Sequence, residues 1–191
     1  MCEIGKRQSP IAIDSDNAFI DASLGPLQFL HYEKLRHGLF TNNGHSVVFT
    51  LDNQENFDGK SNLSALENGR PMIKGGGLVG EYYLTQLHFH WGNGSVGQGS
   101  EHVVNGKAAP LEVHFVHFNS KYESLAEALK FDDGVAAVAF LFAEEKSLNH
   151  ETDYNQFDNL INQVTHEEDL SKFFLTYLLP ISQASLKYSS S

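Results

Sequence analysis

His88 and His90 lie two residues apart in "QLHFHWG" (86–92), and a third histidine, His114, sits in "LEVHFVHF" (111–118). Residues i and i+2 of a β-strand share a face. As a strand, the first segment presents Gln86, His88 and His90 together, with Leu87, Phe89 and Trp91 behind. The second presents Glu112, His114 and Val116, with Val113, Phe115 and His117 behind. Opposite side chains on neighbouring strands stand roughly 5 Å apart, so His114 can meet His88 and His90 at one point. Three neutral imidazoles with an open fourth position are the ligand set of catalytic zinc. Gln86 and Glu112 each precede a candidate ligand by two residues. They are suited to accept the second ring N–H of a histidine and so fix its tautomer.

Blander readings share this pattern. Histidines alternating in an apolar strand also serve as core or surface residues bonded to carbonyls. A cupin-type jelly roll uses His-X-His followed closely by a glutamate, but Glu101 comes eleven residues after His90, too far for that arrangement. The third histidine, preceded by its own carboxylate, favours the metal. Periodicity goes no further.

The elements that must position these residues are mainly strands, written as β-branched or aromatic runs between Gly, Asn and Asp clusters. "PLQFLHY" (26–32), "HSVVFTL" (45–51), "EYYLTQLHFHW" (81–91), "LEVHFVHF" and "VAAVAFLFA" (135–143) are the candidates. The last is continuously apolar, as expected of a strand buried on both faces in the middle of a sheet. Two helices are expected, one in "YESLAEALKF" (122–131) and one carrying the stripe Tyr154, Phe157, Leu160, Ile161 and Val164. The glycine-rich "GNGSVGQGSEHVVNGKAAP" (92–110) reads as a long loop. The fold class is mainly β (α+β): a large, open, twisted and mostly antiparallel sheet with a few peripheral helices.

At 191 residues the chain suits one domain with a real core. With 41% hydrophobic and only 19% charged residues, disorder is not expected. A net charge of −11 with no basic cluster argues against a nucleic-acid surface. No apolar stretch reaches the roughly 18–20 residues of a membrane span, and "MCEIGKRQSP" lacks a signal-peptide core. The single cysteine, Cys2, cannot form an internal disulfide. A soluble, reduced, cytoplasmic monomer is the default expectation, and a secreted one if the N-terminus is truncated.

Along almost the whole chain, "GKRQSPIAI", "NNGHSVVF", "GGGLVGEYYLTQLHFHWG", "GSEHVVNGKAAPLEVHFVHFN", "DDGVAAVAFLF" and "LLP" follow in order. In these segments the chain resembles the alpha-class carbonic anhydrases. The resemblance implies a zinc enzyme that interconverts carbon dioxide and bicarbonate, with His88, His90 and His114 as zinc ligands. Gln86 and Glu112 fall behind them, Glu101 at the gatekeeper carboxylate, and His102 at a structural histidine beside it. Zinc lowers the pKa of its water from about 15.7 to about 7, a value measured on carbonic anhydrase and adopted from it. The proton released must reach bulk buffer, and His45 falls at the family's shuttle position. An unperturbed imidazole titrates near neutrality; read alone, however, a histidine after Asn-Gly is simply a turn residue. Carbon dioxide needs an apolar wall, and Val116 and Ala137 fall at wall positions, although core packing explains both equally well. His117, facing away from the metal, is expected to be structural, and His31, His37, His150 and His166 to be surface or cap residues.

Against the family pattern both ends are short, so residues 1–191 are expected to form a carbonic anhydrase domain incomplete at its N- and C-termini, lacking its C-terminal strands. The family continues into a Leu-Thr-Thr-Pro-Pro segment whose first threonine partners the gatekeeper, and Glu101 would lack it. In secreted members a cysteine at the place of Cys2 pairs with one beyond that segment. The apolar 135–143 strand would then present an uncovered edge. The alternative function is accordingly a non-catalytic, truncated zinc-binding or structural domain of the same family.

Overall fold

Large apolar side chains at every second position decide how this sequence folds. The structure, a computed structural model, describes residues 9–33, 35–51, 69–92, 99–143 and 169–174, with 35–37 and 169–174 as backbone only. Its strands are β1 (Ala12–Ile13), β2 (Gln28–Leu30), β3 (Leu35–Asn42), β4 (Val47–Leu51), β5 (Met72–Lys74) and β6 (Glu81–Trp91). β7 (Val103–Val104), β8 (Lys107–Ala108), β9 (Leu111–Asn119), β10 (Val135–Phe142) and β11 (Asp169–Phe174) follow. The main sheet has eight strands in the order β10-β9-β6-β4-β3-β11, with β5 also on β6 and β2 on β5. Every pairing in it is antiparallel. A small second sheet joins β1, β7 and β8, with β1 and β7 parallel. The mainly β, open and largely antiparallel architecture expected from the sequence is what the chain adopts.

Phe40, Phe49, Leu87, Phe89, Val113 and Phe115 are almost wholly buried on one face of the main sheet. Phe40 and Phe49 meet with ring centroids 4.7 Å apart. Burying such a side chain is worth about 1.5–3 kcal/mol, and a one-residue slip of any strand would expose the whole set. The register is therefore fixed by the apolar residues. The opposite face follows from it, and that face carries the histidines.

One irregularity matters. β6 pairs Leu84 with His117 but Gln86 with Val116, so Thr85 is an extra residue, a β-bulge. Buried residues sit at Tyr82 and Leu84 before it and at Leu87 and Phe89 after it.

The single α-helix among the described residues, α1 (Leu125–Ala128), lies within the 122–131 segment read as helical. Ser124 caps it, its side chain accepting from the Glu127 N–H. The second expected helix, His150 and His166 lie outside the described residues. Three readings change. The 35–42 segment, not read as a strand, is β3, held between β4 and β11. The glycine-rich 92–110 segment is not all loop: β7 and β8 form a hairpin around Asn105 and Gly106, both at positive φ. Finally, the strand at 135–143 is not buried on both faces. Among the described residues β10 pairs only with β9. Its Ala136, Val138, Phe140 and Phe142 pack on the core, while Val135, Ala137, Ala139 and Leu141 are exposed.

Candidate metal centre

The register places His88 directly opposite His114, and His90 opposite Glu112. The three rings lie together, with centroid separations of 5.0 Å (His88–His90), 5.0 Å (His88–His114) and 4.6 Å (His90–His114). One nitrogen of each falls within 4.8 Å of those of the other two.

The partners decide which nitrogens face inward. Gln86 Oε1 lies 3.0 Å from His88 Nδ1; oriented as acceptor, it holds the proton on Nδ1 and leaves the Nε2 lone pair. Glu112, wholly buried, takes the N–H of His114 Nε2 at 2.5 Å, which leaves His114 Nδ1. His90 Nε2 is buried and has no hydrogen-bond partner. An orphaned ring nitrogen beside two directed lone pairs is compatible with a divalent cation.

Electrostatics agree with that fit. Burial first, then His114 and His90, pushes the His88 imidazole down to about 4, so it is neutral at pH 7. His90 is also lowered, chiefly by burial. Burial alone would raise Glu112, but hydrogen bonds from the His102 backbone, His114 and the His102 ring outweigh it, and its carboxyl stays below the usual range. The His102 N–H donates to Glu112 Oε2 at 2.9 Å, and its Nδ1–H to Oε1. His102 Nε2 is left to accept from the Ser9 hydroxyl at 3.0 Å. One buried carboxylate thus orients His114 and anchors the loop that carries Glu101.

Glu101 is exposed, with Oε2 3.3 Å from His90 Nε2 and 3.8 Å from His114 Nδ1. Val116 lies beside Gln86 on one side and Ala137 on the other, so both stand on the histidine face next to the cluster. His45 is exposed in the turn between β3 and β4. Its neighbour Ser46 donates to the Phe89 carbonyl at 2.6 Å, which fixes the turn between the levels of His88 and His90. His117 points into the core. It donates from Nδ1 to the Ala136 carbonyl at 3.3 Å and accepts at Nε2 from the Tyr32 hydroxyl at 2.5 Å.

Two supporting residues escape a reading by periodicity. Ser46 is one. The other is Ser100, whose hydroxyl donates to the His102 carbonyl at 2.6 Å and accepts from the Ala109 N–H at 2.7 Å. Gly99 beside it has φ +150°, and a Cβ there would stand 2.2 Å from the Ala109 carbonyl oxygen. The only sequence signal for either is a small polar residue next to a glycine or a histidine.

Comparison with known proteins matches the profile of the eukaryotic-type carbonic anhydrases over residues 1–191. The mouse protein named carbonic anhydrase 7 is 41% identical over 153 residues, covering 78% of this chain and 52% of that protein. Its human counterpart is 40% identical over the same length. Mouse carbonic anhydrase 15 is 34% identical over 189 residues, covering 96% of this chain and 54% of its own length. The chain spans about half the length of the curated relatives it matches.

Proposed function

Because the chain belongs to the eukaryotic-type carbonic anhydrase family, we propose that it binds one zinc ion on His88, His90 and His114 and catalyses the reversible hydration of carbon dioxide to bicarbonate and a proton. The observation that carries this reading is the set of three inward-facing imidazole nitrogens, two of them fixed by partners on the far side of the ring. Zinc held there makes hydroxide available at neutral pH, a property taken from this family's own chemistry.

The chain's residues do the rest. Gln86 and Glu112 hold the His88 and His114 tautomers, so the ligand lone pairs are in place before the metal arrives. His102 keeps Glu112 ionised and oriented. Val116 and Ala137 offer an apolar wall for an uncharged, apolar substrate. His45, exposed on its turn, carries the product proton to buffer.

Metal content and hydration rate test the reading together. Purified protein should carry about one zinc per chain and hydrate carbon dioxide, and His114→Ala should lose both. Unchanged zinc content in that variant would move the metal elsewhere. His45→Ala should keep its zinc, turn over more slowly, and recover part of its rate in imidazole buffer. If added imidazole changes nothing, His45 is not the shuttle.

A further inference from the structure

A serine hydroxyl is a weak nucleophile until a base takes its proton, and Ser9 stands beside a base. Its Oγ is 3.0 Å from His102 Nε2. The other ring nitrogen, Nδ1, is held by Glu112 Oε1, and the Glu112 side chain is wholly buried. An ionised carboxylate can only accept, so Nδ1 carries the proton and Nε2 presents its lone pair to the Ser9 hydroxyl. Hydroxyl, imidazole and buried carboxylate, linked in that order, activate serine for acyl transfer on several unrelated folds.

The backbone builds this chain of contacts. β1 and β7 pair in parallel, Ala12 with Val103 and Ile13 with Val104. The Val103 N–H donates to the Ile11 carbonyl at 3.3 Å, and the Asn105 N–H to the Ile13 carbonyl at 2.8 Å. The segment that carries Ser9 is thus fastened alongside the segment that carries His102. The His102 N–H donates to Glu112 Oε2 at 2.9 Å, so backbone and ring grip one carboxylate. At the outer end Ser9 and Pro10 are exposed. A small molecule reaches Oγ from solvent while the carboxylate stays dry. Ser23 supplies a contrast within the same molecule: it is exposed too, but its hydroxyl donates directly to Asp21 Oδ1 at 2.6 Å, with no imidazole between.

We propose that Ser9 is a nucleophile activated by His102 and Glu112, and that it accepts the acyl group of small uncharged carboxylic esters without using the metal. A net charge of −11 and the exposed Glu101 next to His102 disfavour anionic esters. Ser9 Oγ bonds to the ester carbonyl carbon as its proton passes to His102 Nε2. The carbon–oxygen bond to the alcohol then breaks, and the alcohol leaves with that proton. Water repeats the step with His102 as base, which releases the acid and restores the Ser9 hydroxyl.

A fluorophosphonate ester tests this, because its phosphorus takes the serine oxygen as fluoride leaves, and the hydroxyl proton passes through His102 to water. The full chain, with and without zinc, is treated with it, and peptide mass spectrometry locates the adduct. Ser9 should be modified at least about a hundredfold faster than Ser23, at the same rate with and without zinc. His102→Gln should bring Ser9 down to the rate of Ser23. If that variant does not fold, the ratio of Ser9 to Ser23 in the parent chain decides alone. The zinc-free chain should also hydrolyse p-nitrophenyl acetate and lose that activity in step with modification of Ser9. Equal rates at Ser9 and Ser23 would overturn the proposal, as would a fast Ser9 that persists in folded His102→Gln. Hydrolysis that is absent, or that survives complete modification of Ser9, would overturn it too. Modification only with zinc bound would assign the reaction to the metal instead.

Discussion

His114 and His117 sit three residues apart on β9 and face opposite sides of the sheet. Neither stands in open solvent, yet they are suited to different work. His117 uses both ring nitrogens, one toward the Ala136 carbonyl and one from the Tyr32 hydroxyl. His114 uses Nε2 toward Glu112 and turns Nδ1 toward His88 and His90. Burial makes an imidazole neutral on either face: His117 and His88 are both pushed down to about 4. Neutrality therefore does not make a ligand. What distinguishes His88 and His114 is that the partner of each binds one ring nitrogen and spares the other.

The sharpest break in that contrast is the loss of one ligand. His114→Ala should abolish stoichiometric zinc binding, measured by metal analysis after gel filtration. The unfolding midpoint of the metal-free protein should fall less than in His117→Ala: the buried Glu112 carboxylate loses the His114 donor but keeps both hydrogen bonds from His102. His117→Ala should do the reverse. It leaves a core cavity and removes the hydrogen bond that His117 Nε2 accepts from the Tyr32 hydroxyl, at a cost of about 3 kcal/mol in urea unfolding. Folded molecules of that variant should still bind zinc.

Acid probes the core face more gently. His117 titrates at 6.5 in the unfolded chain and at about 4 in place. Between those values the unfolded chain binds the extra proton, so stability is full above 6.5, falls as pH is lowered, and has lost this contribution by about pH 4. The loss amounts to about 3 kcal/mol when complete. His88 adds to the slope in the same direction in metal-free protein. His117→Gln should therefore flatten the dependence of the metal-free protein without removing it. An unchanged slope would show that folding does not shift the His117 pKa.

Smallest are the effects of the partners behind the ligands. Glu112→Gln should weaken zinc binding by about 10–100-fold, and Gln86→Ala by about tenfold. Glu112 serves two elements, whereas Gln86 serves His88 alone. Competition with a chromogenic chelator measures both. If Gln86→Ala proves the more damaging, the shared-anchor role of Glu112 is wrong.

Much of this was legible because two periodicities coincide. His88 and His90 alternate with Phe89, and His114 with Phe115, so the residues that fix the register also fix which face the histidines take. β3 was not legible: "LRHGLFTN" has a glycine and few alternating apolar residues, and it is a strand because β4 pairs with it. The 103–108 hairpin carries an Asn-Gly turn signal that glycine-rich surroundings conceal. The fold class for 135–143 depended on neighbours that a single segment does not encode. The tie from Ser9 through His102 to Glu112 joins residues far apart in sequence, and no local spacing announces it.

Thr85 has a consequence beyond its own geometry. A strand is read two residues at a time, one to each side, and a single inserted residue works as a frameshift does in a gene: everything downstream is read in the other phase. Upstream of Thr85 the even-numbered Tyr82 and Leu84 go to the core, and downstream the odd-numbered Leu87 and Phe89 do, which gives the even numbers, His88 and His90, to the site. Remove that one residue and no side chain near the histidines has changed, yet one half of the strand must face the wrong way. Mutational scans that only substitute would score Thr85 as dispensable. Deletions would find it indispensable.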